Sequence, residues 1–318
     1  MARAFVFPGQ GSQTVGMGRS AAAAYPAARA VFDEVDDALG EKLSALIWEG
    51  PEDRLALTQN AQPALMATSL ALTRALEAEG VRAGDHAAFV AGHSLGEYSA
   101  LCAAGALSVA DAARLLRARG LAMQAAVAVG AGAMAALLGA DLDQARAIAA
   151  DAAEGAVCEA ANDNAPGQVV VSGDRAAVER AVALAAARGV KRAVMLQVSA
   201  PFHCALMAPA AAAMRAELAT ATITTPRPPL VANVRAGAVD DPETIRALLV
   251  EQVTAMVRWR ESVEWMAAQG VTQLVEIGAG KVLSGLARRI ARDMGAVAVN
   301  EAADVARVAQ ALLTEGEA

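Results

Sequence analysis

One serine in this chain stands where it could act as a nucleophile. Gly92-His93-Ser94-Leu95-Gly96 matches the pattern G-x-S-x-G, which places a serine on a sharp turn between a strand and a helix. The uncharged run 87–92 before it reads as a buried strand, and 97–104 after it as the first turns of a helix. Glycines without Cβ atoms allow the bend. Ser94 is then held at the strand's end with Oγ exposed and its backbone near a helix N-terminus. The free N–H groups and partial positive charge there suit a developing oxyanion. The same five residues also fit a plain Gly-rich turn with an incidental serine. The strand before and the helix after favour the nucleophile.

A nucleophilic serine needs a base, and the chain has three histidines. His93 adjoins Ser94, and neighbours on a tight turn point apart, so a supporting hydrogen bond suits it better than proton transfer. His86 follows Gly84-Asp85 in what reads as a surface loop. His203 lies in Ser199-Ala-Pro-Phe-His-Cys204, where a small unit hands the chain back to a larger one. Clefts between such units are usual ligand sites, which makes His203 the candidate base. No acid between Ser94 and His203 stands out as a third member, and a backbone carbonyl can also orient an imidazole N–H. Arg119 sits near the apolar end of a helix. It either snorkels to the surface or points a bidentate fork at a buried carboxylate. Gln62, at the entry of a long helix, is a pocket residue or a cap. The loop Pro8-Gly-Gln-Gly-Ser-Gln13 is a plain turn or a source of backbone N–H groups beside Ser94.

These side chains need a frame. Short apolar runs predict strands at 3–7, 87–92, 230–233, 272–277 and 297–299, separated by helices at 17–39 (broken near Pro26), 60–78, 109–124, 204–219, 242–254, 259–269 and 281–292. Short helices fill 41–56. Between them, 133–197 runs strand, helix, strand, strand, helix, strand, with 162–167 as a turn. That order is ferredoxin-like βαββαβ. The expectation is an α/β protein: a large, hydrolase-like subdomain with a mostly parallel sheet over 1–127 and 199–318, and an inserted small ferredoxin-like subdomain over 128–198.

Composition narrows the function. The 318 residues carry a net charge of −7, and 56% are hydrophobic but only 3% aromatic. The acidic balance argues against nucleic-acid binding. Cys102, Cys158 and Cys204 lack C-x-x-C spacing, so neither a disulfide framework nor a zinc site is expected, which fits a reducing cytoplasm. The uncharged stretch 120–140 is long enough to span a bilayer. It is rich in Ala and Gly and interrupted by Gln124, so helix end, loop and strand is the expectation, with no membrane segment.

Taken together, Gly9-Gln-Gly-Ser-Gln13, Gly92-His-Ser-Leu-Gly-Glu97, Arg119 with Met123-Gln124, Asn162 with Asn164, Pro201-Phe-His203 and Glu276-Ile-Gly-Ala-Gly-Lys281 resemble the malonyl-CoA:acyl carrier protein transacylases and the acyltransferase domains of fatty-acid and polyketide synthases. The resemblance covers essentially the whole chain. It implies that Ser94 is acylated and His203 is the base, and that backbone N–H groups of Gln10 and Leu95 form the oxyanion hole. It also implies that Gln252 orients His203 through its carbonyl, and that Arg119 pairs with the malonyl carboxylate. Gln62, Asn162 and Phe202 would complete the substrate pocket, with Phe202 and Leu95 of the malonyl-selecting type. Ala279 stands where many relatives have proline. The implied partners are malonyl-CoA and acyl carrier protein, with no metal or bound cofactor, no nucleic acid and no membrane. Two other readings share parts of this pattern. A serine esterase or thioesterase would use Ser94 and His203 but not Arg119, and a non-catalytic carrier-docking module would form no covalent adduct.

Overall fold

A computed structural model describes residues 2–314. Among the described residues ten strands form two separate sheets. The larger contains β1 (Ala2–Phe7), β2 (Phe89–Gly92), β7 (Leu230–Ala232), β8 (Gly237–Val239), β9 (Val271–Ile277) and β10 (Gly295–Val299), in the order β10-β9-β1-β2-β7-β8. All its pairings are parallel except β7 with β8. The smaller contains β3 (Gly132–Leu138), β4 (Cys158–Ala165), β5 (Gln168–Asp174) and β6 (Arg192–Met195), wholly antiparallel in the order β4-β5-β3-β6. With the helices Leu142–Ala153 and Arg175–Ala187 between its strands, this is the βαββαβ arrangement.

Burial of both faces explains why the inner strands β1, β2 and β7 read as largely apolar runs. Phe5 and Phe7 of β1 join one core cluster, while Ala4 and Val6 join another on the opposite face with Trp259 and Met266. The small sheet has its own core, in which Ala135 and Leu137 pack with Ile148 and Val178. Ala, Val, Leu and Met fill most of this volume, as the scarcity of aromatics requires.

The register creates a site. Phe7 pairs with Gly92, and Ala91 with Val231. The loop after β1, the turn after β2 and the residue after β7 therefore emerge together at the carboxyl ends of parallel strands, where open α/β sheets place their ligands. Two helices complete it. Thr58–Ala78 brings Gln62, and Val109–Ala126 brings Arg119. They approach so closely at Gly120 that a Cβ there would lie 2.4 Å from Gln59 Cα and 2.8 Å from the Thr58 carbonyl oxygen. Those are backbone atoms, which cannot swing aside. Gly120→Ala should therefore destabilise the fold by about 1–3 kcal/mol, the usual overpacking range. It should also lower activity, because Arg119 and Gln62 flank the contact. Denaturant unfolding and turnover measured on the same preparation check both effects.

Several sequence expectations need correction. The 162–167 stretch is not a turn. β4 continues through Asn162-Asp163-Asn164 to Ala165, leaving only Pro166-Gly167 between Ala165 and its partner Gln168, with Gly167 at φ 69°. Asx residues favour turns locally, but pairing with β5 overrides them. The β4–β5 register shifts twice, between Ala160 and Asn162 and between Asp163 and Ala165. Such irregularities re-aim side chains beside active sites. The short strand β8 was not foreseen. His86 ends a short helix, Ala83–His86, rather than lying in a loop. The helix expected from 204 starts as a 3-10 turn at Ala205–Met207 and becomes regular at Ala208–Thr220. The expected break at Pro26 separates Arg19–Ala24 from Pro26–Leu39. Among the described residues, no helix is long and apolar enough to cross a membrane.

Candidate active site

The turn between β2 and the helix Gly96–Ala103 is sterically forced. A Cβ on Gly92 would lie 1.8 Å from the carbonyl carbon of Gly96, and one on Gly96 would lie 2.3 Å from the Phe7 carbonyl oxygen. Only glycine fits either position. Ser94, between them, has φ 52°, a left-handed conformation that strains a residue with a side chain by about 1–3 kcal/mol and persists only where its surroundings impose it. The loop after β1 crosses so near that a Cβ on Gly9 would meet the His93 carbonyl oxygen at 2.7 Å. That approach sets Gln10 at the edge of the same cavity as Ser94.

Ser94 and His203 meet. The Ser94 hydroxyl donates to His203 Nε2 across 2.8 Å, and Nδ1–H donates to the Gln252 carbonyl oxygen at 2.9 Å. That second bond fixes the tautomer that leaves Nε2 free to accept a proton. A backbone carbonyl thus occupies the place of the missing acid. Burial, reinforced by the nearby Arg119 guanidinium, pushes the His203 pKa down to about 3. The neutral imidazole, the form able to accept a proton, therefore persists as pH falls through the ordinary histidine value of 6.5. Single-turnover acylation should stay level from neutral to mildly acidic pH, and an inflection near that ordinary value would contradict the assignment. In the unfolded chain the imidazole takes its proton at the ordinary value. Its contribution to stability is therefore complete above that value and is lost progressively as pH falls towards the depressed one.

Arg119 is buried to 1% exposure and does not snorkel. Nη1 donates to Gln62 Oε1 at 2.8 Å, and Nη2 donates to Gln252 Oε1 at 2.9 Å and to Ser94 Oγ at 3.1 Å. Its Nε–H has no acceptor among the described residues. Burial lowers its pKa, with Tyr98 and Glu97 opposing. Gln62 lies inside rather than capping the helix, and its Nε2 donates to Thr58 Oγ1 at 3.0 Å, which in turn donates to Gln10 Oε1 at 2.9 Å. A relay thus ties the guanidinium to the loop carrying Gln10. Among the described residues, the backbone N–H groups of Gln10 and Leu95 meet no acceptor.

The residues surround a cavity of about 390 Å³ lined by Gln10, Gln62, Ser94, Leu95, Arg119 and His203. Asn162 on β4 and Phe202 in the segment after β6, both largely buried, also line it. His93 turns away from Ser94 and pairs through Nε2 with Asn164 Oδ1 at 2.8 Å. His86 bonds Arg82 and takes no part. Two further buried residues carry no role in the sequence analysis, Glu97, which appears there only within the Gly92–Glu97 signature, and Asn233. Glu97 accepts from the Asn233 N–H and from Gln252 Nε2, each at 2.5 Å, and burial raises its pKa to about 8. Asn233 contacts the Ser94 backbone. An acid placed directly after G-x-S-x-G was a usable signal for Glu97, whereas nothing in the periodicity marks Asn233. The three thiols are all buried. Burial holds Cys158 and Cys204 at about 11 and Cys102 well above its ordinary value.

A serine on a strained elbow, hydrogen-bonded to a neutral histidine and facing a buried guanidinium, is equipped for acyl transfer. Comparison with known proteins agrees. Residues 4–311 match the acyl transferase domain, and the chain belongs to that family. Within it, the chain is 50% identical to the malonyl CoA-acyl carrier protein transacylase of Escherichia coli K12, covering 94% of this chain and 96% of that one. The solved acyl-carrier-protein S-malonyltransferase of Bartonella henselae superposes with a TM-score of 0.96 at 57% identity, over 98% of this chain and 99% of that one. A malonyl-transacylase solved in complex with a type II polyketide-synthase acyl-carrier protein superposes at 0.95 with 43% identity, over 98% of this chain and 100% of the other.

Proposed function

We propose that this chain transfers the malonyl group of malonyl-CoA to the phosphopantetheine thiol of an acyl carrier protein through a malonyl-Ser94 intermediate, in fatty-acid or polyketide synthesis. The observation that carries the reading is the placement of a buried guanidinium 3.1 Å from Ser94 Oγ, while the same oxygen lies 2.8 Å from His203 Nε2. The names of the relatives and the carrier-protein complex of one structural neighbour support the same substrates.

In the first half-reaction Ser94 Oγ gives its proton to His203 Nε2 and attacks the thioester carbonyl. The N–H groups of Gln10 and Leu95 receive the oxyanion. Collapse breaks the carbon–sulfur bond, and the imidazolium returns its proton to the departing thiolate. In the second half the carrier's thiol gives its proton to His203 and attacks the malonyl-serine carbonyl; collapse breaks the carbon–Oγ bond, and the imidazolium returns the proton to Ser94 Oγ. Arg119 holds the malonyl carboxylate throughout. This scheme closes its proton balance with His203 alone and calls for no metal or bound cofactor.

The geometry favours transfer over simple hydrolysis because a plain esterase has no use for a buried cation beside its nucleophile. Mass spectrometry after mixing the protein with malonyl-CoA tests the proposal. A malonyl increment on the peptide containing Ser94, discharged by a phosphopantetheinylated carrier faster than by water, is the expected result. An unmodified peptide would overturn it.

A further inference from the structure

The nucleophile's turn is gripped by a residue that lies outside its motif and far away in sequence. Asn233 follows β7 and is completely buried. Its Oδ1 accepts from the Ser94 N–H at 2.8 Å, and its Nδ2 donates to the Gly92 carbonyl oxygen at 2.7 Å. Glu97 holds Asn233 in turn through its backbone N–H. The other polar group of the Ser94 backbone, its carbonyl, accepts from Gln252 Nε2 at 3.0 Å. The left-handed turn takes these backbone groups out of the sheet ladder, and unmet polar groups in a buried site are costly. Asn233 supplies partners on both sides of the bend. By engaging the Ser94 N–H it also leaves the oxyanion to other donors.

We propose that Asn233 is a positioning residue for acyl transfer: it holds Ser94 in its strained conformation and so sets Oγ against His203 Nε2. The inference rests on the reading that Ser94 is the acylated residue. Without Asn233 the turn can relax toward ordinary φ, which swings Oγ away from the imidazole while leaving Arg119, Gln62 and the cavity in place.

The test compares the native chain with Asn233→Ala and Asn233→Asp. The aspartate keeps an acceptor for the Ser94 N–H and loses the donor to Gly92. Acylation by malonyl-CoA in Asn233→Ala should show kcat lowered by about 10²-fold, the scale of a small misplacement of a reacting atom, with KM unchanged. Labelling of Ser94 by a small fluorophosphonate, which needs the nucleophile but not the carboxylate pocket, should fall by a similar factor. Asn233→Asp should lie between native and alanine on both measures. Near-native kcat in Asn233→Ala overturns the proposal. So does a loss shared equally between kcat and KM, or loss of the folded circular dichroism spectrum in both variants, since either assigns Asn233 to the fold alone. Failure of the native chain to form malonyl-Ser94 would instead sink the functional reading, so the two failures are distinguishable.

Discussion

Ser94→Ala is expected to end acyl-enzyme formation entirely, and His203→Ala to slow it by about 10²–10⁴-fold, the range that general-base catalysis supplies. The two losses differ in kind. Without Oγ no covalent intermediate can form, however well the thioester binds. Without the imidazole the hydroxyl remains on its strained turn, next to the N–H groups of Gln10 and Leu95, which meet no acceptor among the described residues, and retains weak nucleophilicity. The alanine at 203 also releases the Gln252 carbonyl from its 2.9 Å bond. Gln252 itself stays anchored by its side chain to Glu97, Arg119 and the Ser94 carbonyl, so the rest of the site should keep its shape. Intact-mass measurement of the acylated fraction over time separates the three proteins. Near-native acylation by Ser94→Ala would remove the covalent mechanism.

Arg119→Ala should change which acyl group is carried. Malonyl and acetyl thioesters differ by one carboxylate, and a guanidinium–carboxylate pair in a buried cavity is strong and directional. Malonyl transfer should fall by about 2–5 kcal/mol in kcat/KM, as for truncation of a buried charge pair. Acetyl transfer should fall much less, or rise, for two reasons visible in the structure. The alanine removes an unmatched cation from the pocket of a neutral acyl group. It also removes one of the charges that holds His203 below its ordinary pKa, leaving a stronger base. Some loss is common to both substrates, because Gln62 Oε1 and Gln252 Oε1 each lose a donor. Arg119→Lys should not restore malonyl transfer fully, since an ammonium cannot present the planar fork. Steady-state kinetics with malonyl-CoA and acetyl-CoA on all three proteins decide the matter. Equal loss on both substrates would make Arg119 a structural residue.

Much of this site was legible because its chemistry is local. The G-x-S-x-G turn lies within one strand–helix junction, and its glycines are required by contacts with residues at most five positions away or with the adjoining β1 end. His203 was reachable by elimination among three histidines. What was not legible is tertiary. Asn233 reaches Ser94 across 139 positions only because β2 and β7 are neighbours in register, and no periodicity within 230–233 announces that adjacency. The Asn162–Ala165 stretch carried turn-forming residues whose pairing with β5 decided otherwise. Glu276 was visible only as part of a family signature. In the structure its carboxylate accepts from the backbone N–H groups of Leu283 and Ser284 at 3.0 and 2.7 Å, capping the helix Val282–Ile290 rather than serving the cavity.

The state of the three cysteines bears on fidelity. An acyl group on a serine ester is open to capture by any thiolate that reaches it, and the proposed reaction begins and ends with sulfur. A reactive cysteine near the cleft would intercept the cargo and leave the protein acylated at a dead-end thioester. Cys204 adjoins His203 in sequence, yet it is fully buried with its sulfur turned to the Pro201 carbonyl oxygen at 3.2 Å. Its thiol, like those of Cys102 and Cys158, is held protonated well above neutrality, which withholds the nucleophilic form. The chain thereby guards its intermediate against itself, and the only sulfur left to compete for the acyl group is one delivered from outside.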